Sequence, residues 1–140
     1  MSVPITKIML IVSTATEANA DSDMFVELYI GGLSSAELPL AGPQGASKIF
    51  EIPTSGDLNL DQVSPTDIEL SVDGDAPSSF NAWLPSSCYV LGKGDSTDYQ
   101  LLCAIPKWPS SIWFCADSNA HEDPPAFNGV VTLQMVLDAM

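Results

Sequence analysis

Apolar residues in this chain fall in short segments, some alternating with polar residues and others continuous for five to nine positions, separated by clusters of Gly, Pro, Asn, Asp and Ser. In Ile68-Glu69-Leu70-Ser71-Val72-Asp73 every second residue is apolar, so one face of a strand is buried and the other meets water. Val26, Leu28 and Ile30 share a face in the same way, with Glu27 pointing away. Eleven Pro and nine Gly break the chain at intervals too short for long helices. The pattern predicts strands over 5–13, 24–30, 48–52, 67–73, 86–91, 99–105, 110–116 and 129–137, with a lesser one over 36–40. Short helical turns are expected around 58–63 and 85–87. Over 130–140, Leu133, Val136 and Leu137 also fit a helical period, but Val130-Val131-Thr132 favours strand. About eight strands with little helix define an all-β chain, and the turn-rich connections indicate an antiparallel β-sandwich.

A chain of 140 residues buries enough surface for one sizeable core, so residues 1–140 read as a single domain. One local near-repeat stands out. Trp83-Leu-Pro-Ser-Ser and Trp108-Pro-Ser-Ser each precede an apolar strand, which matches a shared way of entering a strand rather than duplicated units.

Charge narrows the function. Eighteen Asp and Glu stand against Lys7, Lys48, Lys93 and Lys107, with no Arg, for a formal charge of −14. No basic stripe is present to neutralise phosphates, so nucleic acid is not an expected partner. Direct electrostatic docking on anionic lipid fails for the same reason unless a cation intervenes. Cys88, Cys103 and Cys115 cannot all pair with one another and lack metal-ligand spacing, and each sits in an apolar run, so buried reduced thiols are expected. No segment approaches the roughly 20 apolar residues that span a bilayer. With no convincing leader and no Asn-x-Ser/Thr acceptor, a cytoplasmic location is expected, and a secreted protein whose leader has been removed fits the same residues.

The residues offer little to a catalyst. His121 is the only histidine, no Gly-x-Ser-x-Gly occurs, and Leu91-Gly-Lys-Gly-Asp reads as a hairpin turn rather than a phosphate loop. The chain is therefore read as a non-enzyme. The acids, by contrast, gather in turns. Asn19, Asp21 and Asp23 precede one expected strand, Asp73 and Asp75 follow another, and Asp117, Asn119, Glu122 and Asp123 follow a third. Calcium takes six to eight oxygens from such groups in irregular loops, which makes Asn19, Asp21, Asp23, Asp73 and Asp75 candidate metal ligands. Solvated turn residues are the competing reading, because Asp and Asn favour turns for backbone reasons. Trp108, between Lys107 and Pro109, is a candidate exposed ring for stacking on a ligand, with Asp117 and Asn119 as further candidate ligand contacts.

The order of segments resembles the PLAT, or lipoxygenase-homology, sandwich family. The resemblance rests on Ile8 to Ser13, the turn Ala20-Asp21-Ser22-Asp23 and the strand Phe25-Val-Glu-Leu-Tyr-Ile-Gly-Gly, then on Ile68-Glu-Leu-Ser-Val-Asp-Gly-Asp75 followed by Asn81-Ala-Trp83-Leu-Pro. It covers roughly residues 5–115; the family's basic residues near the loops are absent, and the tail from Lys107 onward has no counterpart. It implies an eight-stranded, non-catalytic sandwich, often calcium-dependent, that docks its loops on a membrane or a protein partner, with the family's calcium ligands falling on Asp21, Asp23, Asp73 and Asp75. Two other readings remain open: a carbohydrate-binding sandwich that uses calcium and an exposed Trp108, and a structural or assembly protein whose apolar sheet face makes an oligomer.

Overall fold

The computed structural model describes residues 3–16, 25–31, 33–35, 38–39, 45–54, 58–73, 82–109, 112–115, 127–128 and 130–140. Its strands are β1 (Lys7–Thr14), β2 (Phe25–Ile30), β3 (Leu33–Ser34), β4 (Leu38–Pro39), β5 (Ser47–Pro53), β6 (Ile68–Asp73), β7 (Ala82–Trp83), β8 (Pro85–Lys93), β9 (Gln100–Ile105), β10 (Trp113–Cys115), β11 (Phe127–Asn128) and β12 (Val130–Thr132). They are followed by the helix α1 (Leu133–Ala139). The first sheet runs β5-β1-β8-β9, all antiparallel. The second runs β12-β6-β2, with β3 and β4 pairing β2 at its other edge. A small group, β11-β10-β7, carries the strand ends between the sheets.

Alternation places the core. The inward residues of β1 (Ile8, Leu10, Val12) and β8 (Cys88, Val90) meet those of β2 (Val26, Leu28, Ile30) and β6 (Ile68, Leu70) in one buried cluster. The expected all-β sandwich is therefore present. Trp83 is fully buried in this cluster, and its ring N–H donates to the Thr14 hydroxyl at 2.9 Å. Phe114 packs against both tryptophans of the near-repeat, 5.3 Å from Trp83 and 5.7 Å from Trp108, in one aromatic cluster. Cys88 and Cys103 lie on neighbouring strands as free buried thiols, and burial pushes both thiols up, Cys88 with a further rise from Cys103.

Two expected elements are corrected. The strand expected over 129–137 ends at Thr132, where the Thr132 side chain accepts the Met135 amide at 3.3 Å and starts α1. Leu133 and Val136, three apart, then bury on the core side of the helix, so packing selects the helical period over the strand pattern. The turn expected over 85–87 is instead the start of β8: Pro85 occupies the first strand position, where its missing N–H leaves the ladder intact. The turn expected around 58–63 is present as a 3₁₀ turn, Leu60–Gln62.

Candidate functional site

Two regions of the sandwich carry features a partner can read: the end where the acidic segments attach, and the outer face of the first sheet.

At the first, register brings distant strand ends together. Phe25 opens β2 opposite Asp73, the last residue of β6. Ala82 pairs with Cys115, and the Ala15 amide donates to the Leu84 carbonyl at 2.9 Å. The strand ends flanking 17–24, 74–81 and 116–126 are therefore neighbours at one end of the sandwich. Among the sequence-predicted metal ligands, Asp73 has its backbone at this end; Asn19, Asp21, Asp23 and Asp75, and the ligand contacts Asp117 and Asn119, lie outside the described residues. Among the described residues no group of three or more His, Cys, Asp or Glu side chains is placed to hold a metal. A wide groove of about 950 Å³ runs beside these strand ends, lined by Thr14, Thr16, Leu84, Pro85, Lys107 and Trp108 among others.

Trp108 corrects an expectation. Its ring is only 4% exposed, and its N–H donates to the Ile112 carbonyl at 2.8 Å. The Ile112 amide also donates to the Pro109 carbonyl at 3.2 Å, and the indole packs 5.7 Å from Phe114 rather than standing out between Lys107 and Pro109. It borders the groove but offers no exposed ring face for a sugar, one of the two features, with calcium, on which the carbohydrate reading stood.

The second region emerges from the register of the first sheet. Outward residues alternate with the buried ones on β1, so Met9 lies between Glu51 and Leu91, and Leu91 beside Leu101. One row along, Ile11 lies between Ile49 and Tyr89, and Tyr89 beside Ala104. Seven apolar side chains thus form two adjacent rows across four strands, and Ile49 and Leu101 are 64% and 56% exposed. Ser13, Ser47 and Ser87 edge the rows on one side. On the other, Lys7 stands opposite Lys93. Glu51 sits 4.0 Å from the Lys7 ammonium and accepts the Tyr99 hydroxyl at 2.9 Å, while the Lys93 ammonium lies 5.4 Å above the Tyr99 ring. Lys7 and Lys93 thus meet at this edge on a molecule of charge −14, with Asp95 and Asp98 exposed in the adjoining turn between β8 and β9.

The second sheet is the contrast. Its outer positions pair Glu27 with Ser71 and Tyr29 with Glu69, and Tyr29 donates to Glu27 at 2.5 Å. That face is built for water. Strands that read apolar on both faces, as β1 and β8 do, are ordinarily those of sheets covered on both sides. The uninterrupted run Ile8 to Val12 was the sequence signal for this face; the opposition of Lys7 and Lys93 was not legible, because strand pairing decides it.

Tyr99 provides a local readout of this rim. Partial burial, then the hydrogen bond and charge of Glu51, push its phenol from the ordinary 10.0 up to about 12. The folded state thus holds the proton more tightly than the unfolded chain: the contribution is whole below pH 10.0 and is lost as pH rises towards about 12. In an ultraviolet titration, Tyr99 should ionise late, and Glu51→Gln should bring its ionisation back towards the ordinary value. An unmoved titration would show that Glu51 and Tyr99 are not in contact.

No family model matches the sequence. No curated protein matches it either. The fold does have solved counterparts. Alpha toxin from Clostridium absonum superposes with a TM-score of 0.57 at 16% identity, over 76% of this chain and 30% of the toxin. Alpha-toxin of an avian strain of Clostridium perfringens gives 0.51 at 13% identity, over 73% of this chain and 29% of the toxin. A lipoxygenase is matched at 0.46, with 16% identity, over 73% of this chain and 15% of that one. This chain thus spans about 30% of the length of the toxins it resembles. The alpha toxins carry a PLAT-type β-sandwich, so the resemblance read from the sequence is present in the fold.

Proposed function

We propose that this protein is a non-catalytic binding module that docks on a lipid surface or a protein partner. The observation that carries the reading is the outer face of the first sheet, where Met9, Ile11, Ile49, Tyr89, Leu91, Leu101 and Ala104 form an apolar surface edged by Lys7 and Lys93. Apolar area removed from water is the main source of association energy, and the lysines favour anionic groups at the rim. The likeness to the alpha toxins, whose PLAT-like domain binds membranes, supports lipid as the first candidate.

Calcium is the finer part of the proposal. The strand ends flanking 17–24, 74–81 and 116–126 are neighbours, and these segments carry Asn19, Asp21, Asp23, Asp75, Asp117 and Asn119, with Asp73 at the boundary. A divalent ion held there would reduce the negative charge that otherwise opposes approach to an anionic surface.

Co-sedimentation with phosphatidylserine vesicles, with millimolar calcium and again after chelation, tests both parts. The protein should pellet with calcium and stay in solution without it, and calorimetric titration should register calcium binding. Absence of heat and of any shift in melting temperature would remove calcium from the proposal. Failure to pellet under either condition would remove lipid. A dimer in size-exclusion chromatography with light scattering would then assign the apolar face to self-assembly.

A further inference from the structure

A second apolar feature lies between the sheets, at the edge opposite β9 in the first sheet. Ile8 from β1, Leu28 and Ile30 from β2, Ile52 and Pro53 from β5, and Leu58 enclose a cavity of about 250 Å³ that opens at this edge. The hydroxyl residues Ser34, Ser35 and Thr54 complete it. Two of those hydroxyls are already committed to the backbone: Ser35 accepts the Leu28 amide at 2.9 Å, and Thr54 donates to the Ile5 carbonyl. Leu58 is held as a wall by the backbone beneath it. Gly31 has φ +55, and a Cβ there would lie 2.9 Å from a Leu58 methyl, so the leucine occupies the space a side chain would take.

Among the described residues no charged side chain lines the cavity. Its lining offers an ionised ligand nothing in return for dehydration, and offers an aliphatic group six hydrocarbon partners. An apolar cavity of about 150 Å³ accepts benzene, so by the same ratio this one holds roughly ten carbon atoms. We propose that the cavity between β2 and β5 is a binding site for the end of an uncharged aliphatic chain. The site is separate from the outer face of the first sheet and stands whether or not that face docks on lipid.

Methyl-labelled protein titrated with 1-octanol and followed by two-dimensional methyl NMR tests the site. Ile8, Ile30 and Ile52 methyls should shift saturably while Ile11 and Ile49, on the outer face, stay in place. Ile52→Phe fills the cavity and should weaken binding at least tenfold with an unchanged or higher melting temperature. Ser34→Trp, at an exposed rim position, blocks the mouth without touching the core and should do the same. Phosphatidylcholine vesicles form the second arm. Shifts at the same three isoleucines with vesicles identify a membrane acyl chain as the occupant, and shifts with octanol alone identify a free aliphatic molecule; both support the site. Saturation at Ile11 and Ile49 only, equal binding by both variants, or no saturable shift up to the solubility limit of octanol would overturn it, while leaving the docking face to be judged by co-sedimentation.

Discussion

Trp83→Ala is expected to remove a large part of the protein's stability. The ring is fully buried, stacks on Phe114 at 5.3 Å, and donates to the Thr14 hydroxyl at 2.9 Å. Truncating a buried Trp costs about 3–5 kcal/mol through lost transfer energy and the cavity left behind. The buried Thr14 hydroxyl also loses its donor, which adds roughly 1–3 kcal/mol unless water enters the space. Against a typical stability of about 5–15 kcal/mol, that sum of about 4–8 kcal/mol removes a large part of the margin, and all of it at the low end. Trp83→Phe separates the two effects: it keeps much of the ring packing and loses only the hydrogen bond, so its cost should sit near the lower figure. Urea unfolding followed by circular dichroism measures both variants. A Trp83→Ala midpoint equal to that of the parent would show that the ring does not hold the sheets together.

The second large effect is a contrast between adjacent residues. Leu10 is fully buried between the sheets, whereas Ile11 faces outward between Ile49 and Tyr89. Leu10→Ala should destabilise by about 2–5 kcal/mol. Ile11→Glu puts a carboxylate on the outer surface, where it remains hydrated in the free protein, and should change stability by no more than about 1 kcal/mol, the span of strand propensity. Docking is affected in the opposite order. A charge at the centre of the apolar rows must be dehydrated when the face is covered, so Ile11→Glu should weaken association with vesicles or a partner at least tenfold, about 1.4 kcal/mol or more. Ile11→Glu binding like the parent would move the docking site off this face, and Ile11→Glu unfolding like Leu10→Ala would show that the face is already buried.

These two substitutions also show how much was legible beforehand. The period-2 patterns over Ile68 to Asp73 and Val26 to Ile30 predicted strands, and β6 and β2 are those strands, paired in register from Ile30↔Ile68 to Phe25↔Asp73. Lys107 and Pro109 beside Trp108 point to an exposed ring, whereas the partners that bury it, the Ile112 carbonyl and the Phe114 ring, are contacts that local pattern does not show. The end of the chain fitted both periods, and only the burial of Leu133 and Val136 against the core, together with the Thr132 cap, selected helix.

The amino-acid pattern on its own determined the class of fold, most strand positions, the buried alternation and the acidic character of the connections. These are local properties, set by side-chain periodicity and turn chemistry within a few residues. Tertiary structure decided what those elements do together. Cross-strand register places Lys7 opposite Lys93 and lines up the outward apolar residues of β5, β1, β8 and β9 into one face. It also sets the flanks of the acidic segments side by side and leaves the cavity between β2 and β5. Each of these joins residues far apart in sequence, and period-2 alternation fixes only which face of its own strand a side chain occupies, not which strand lies beside it.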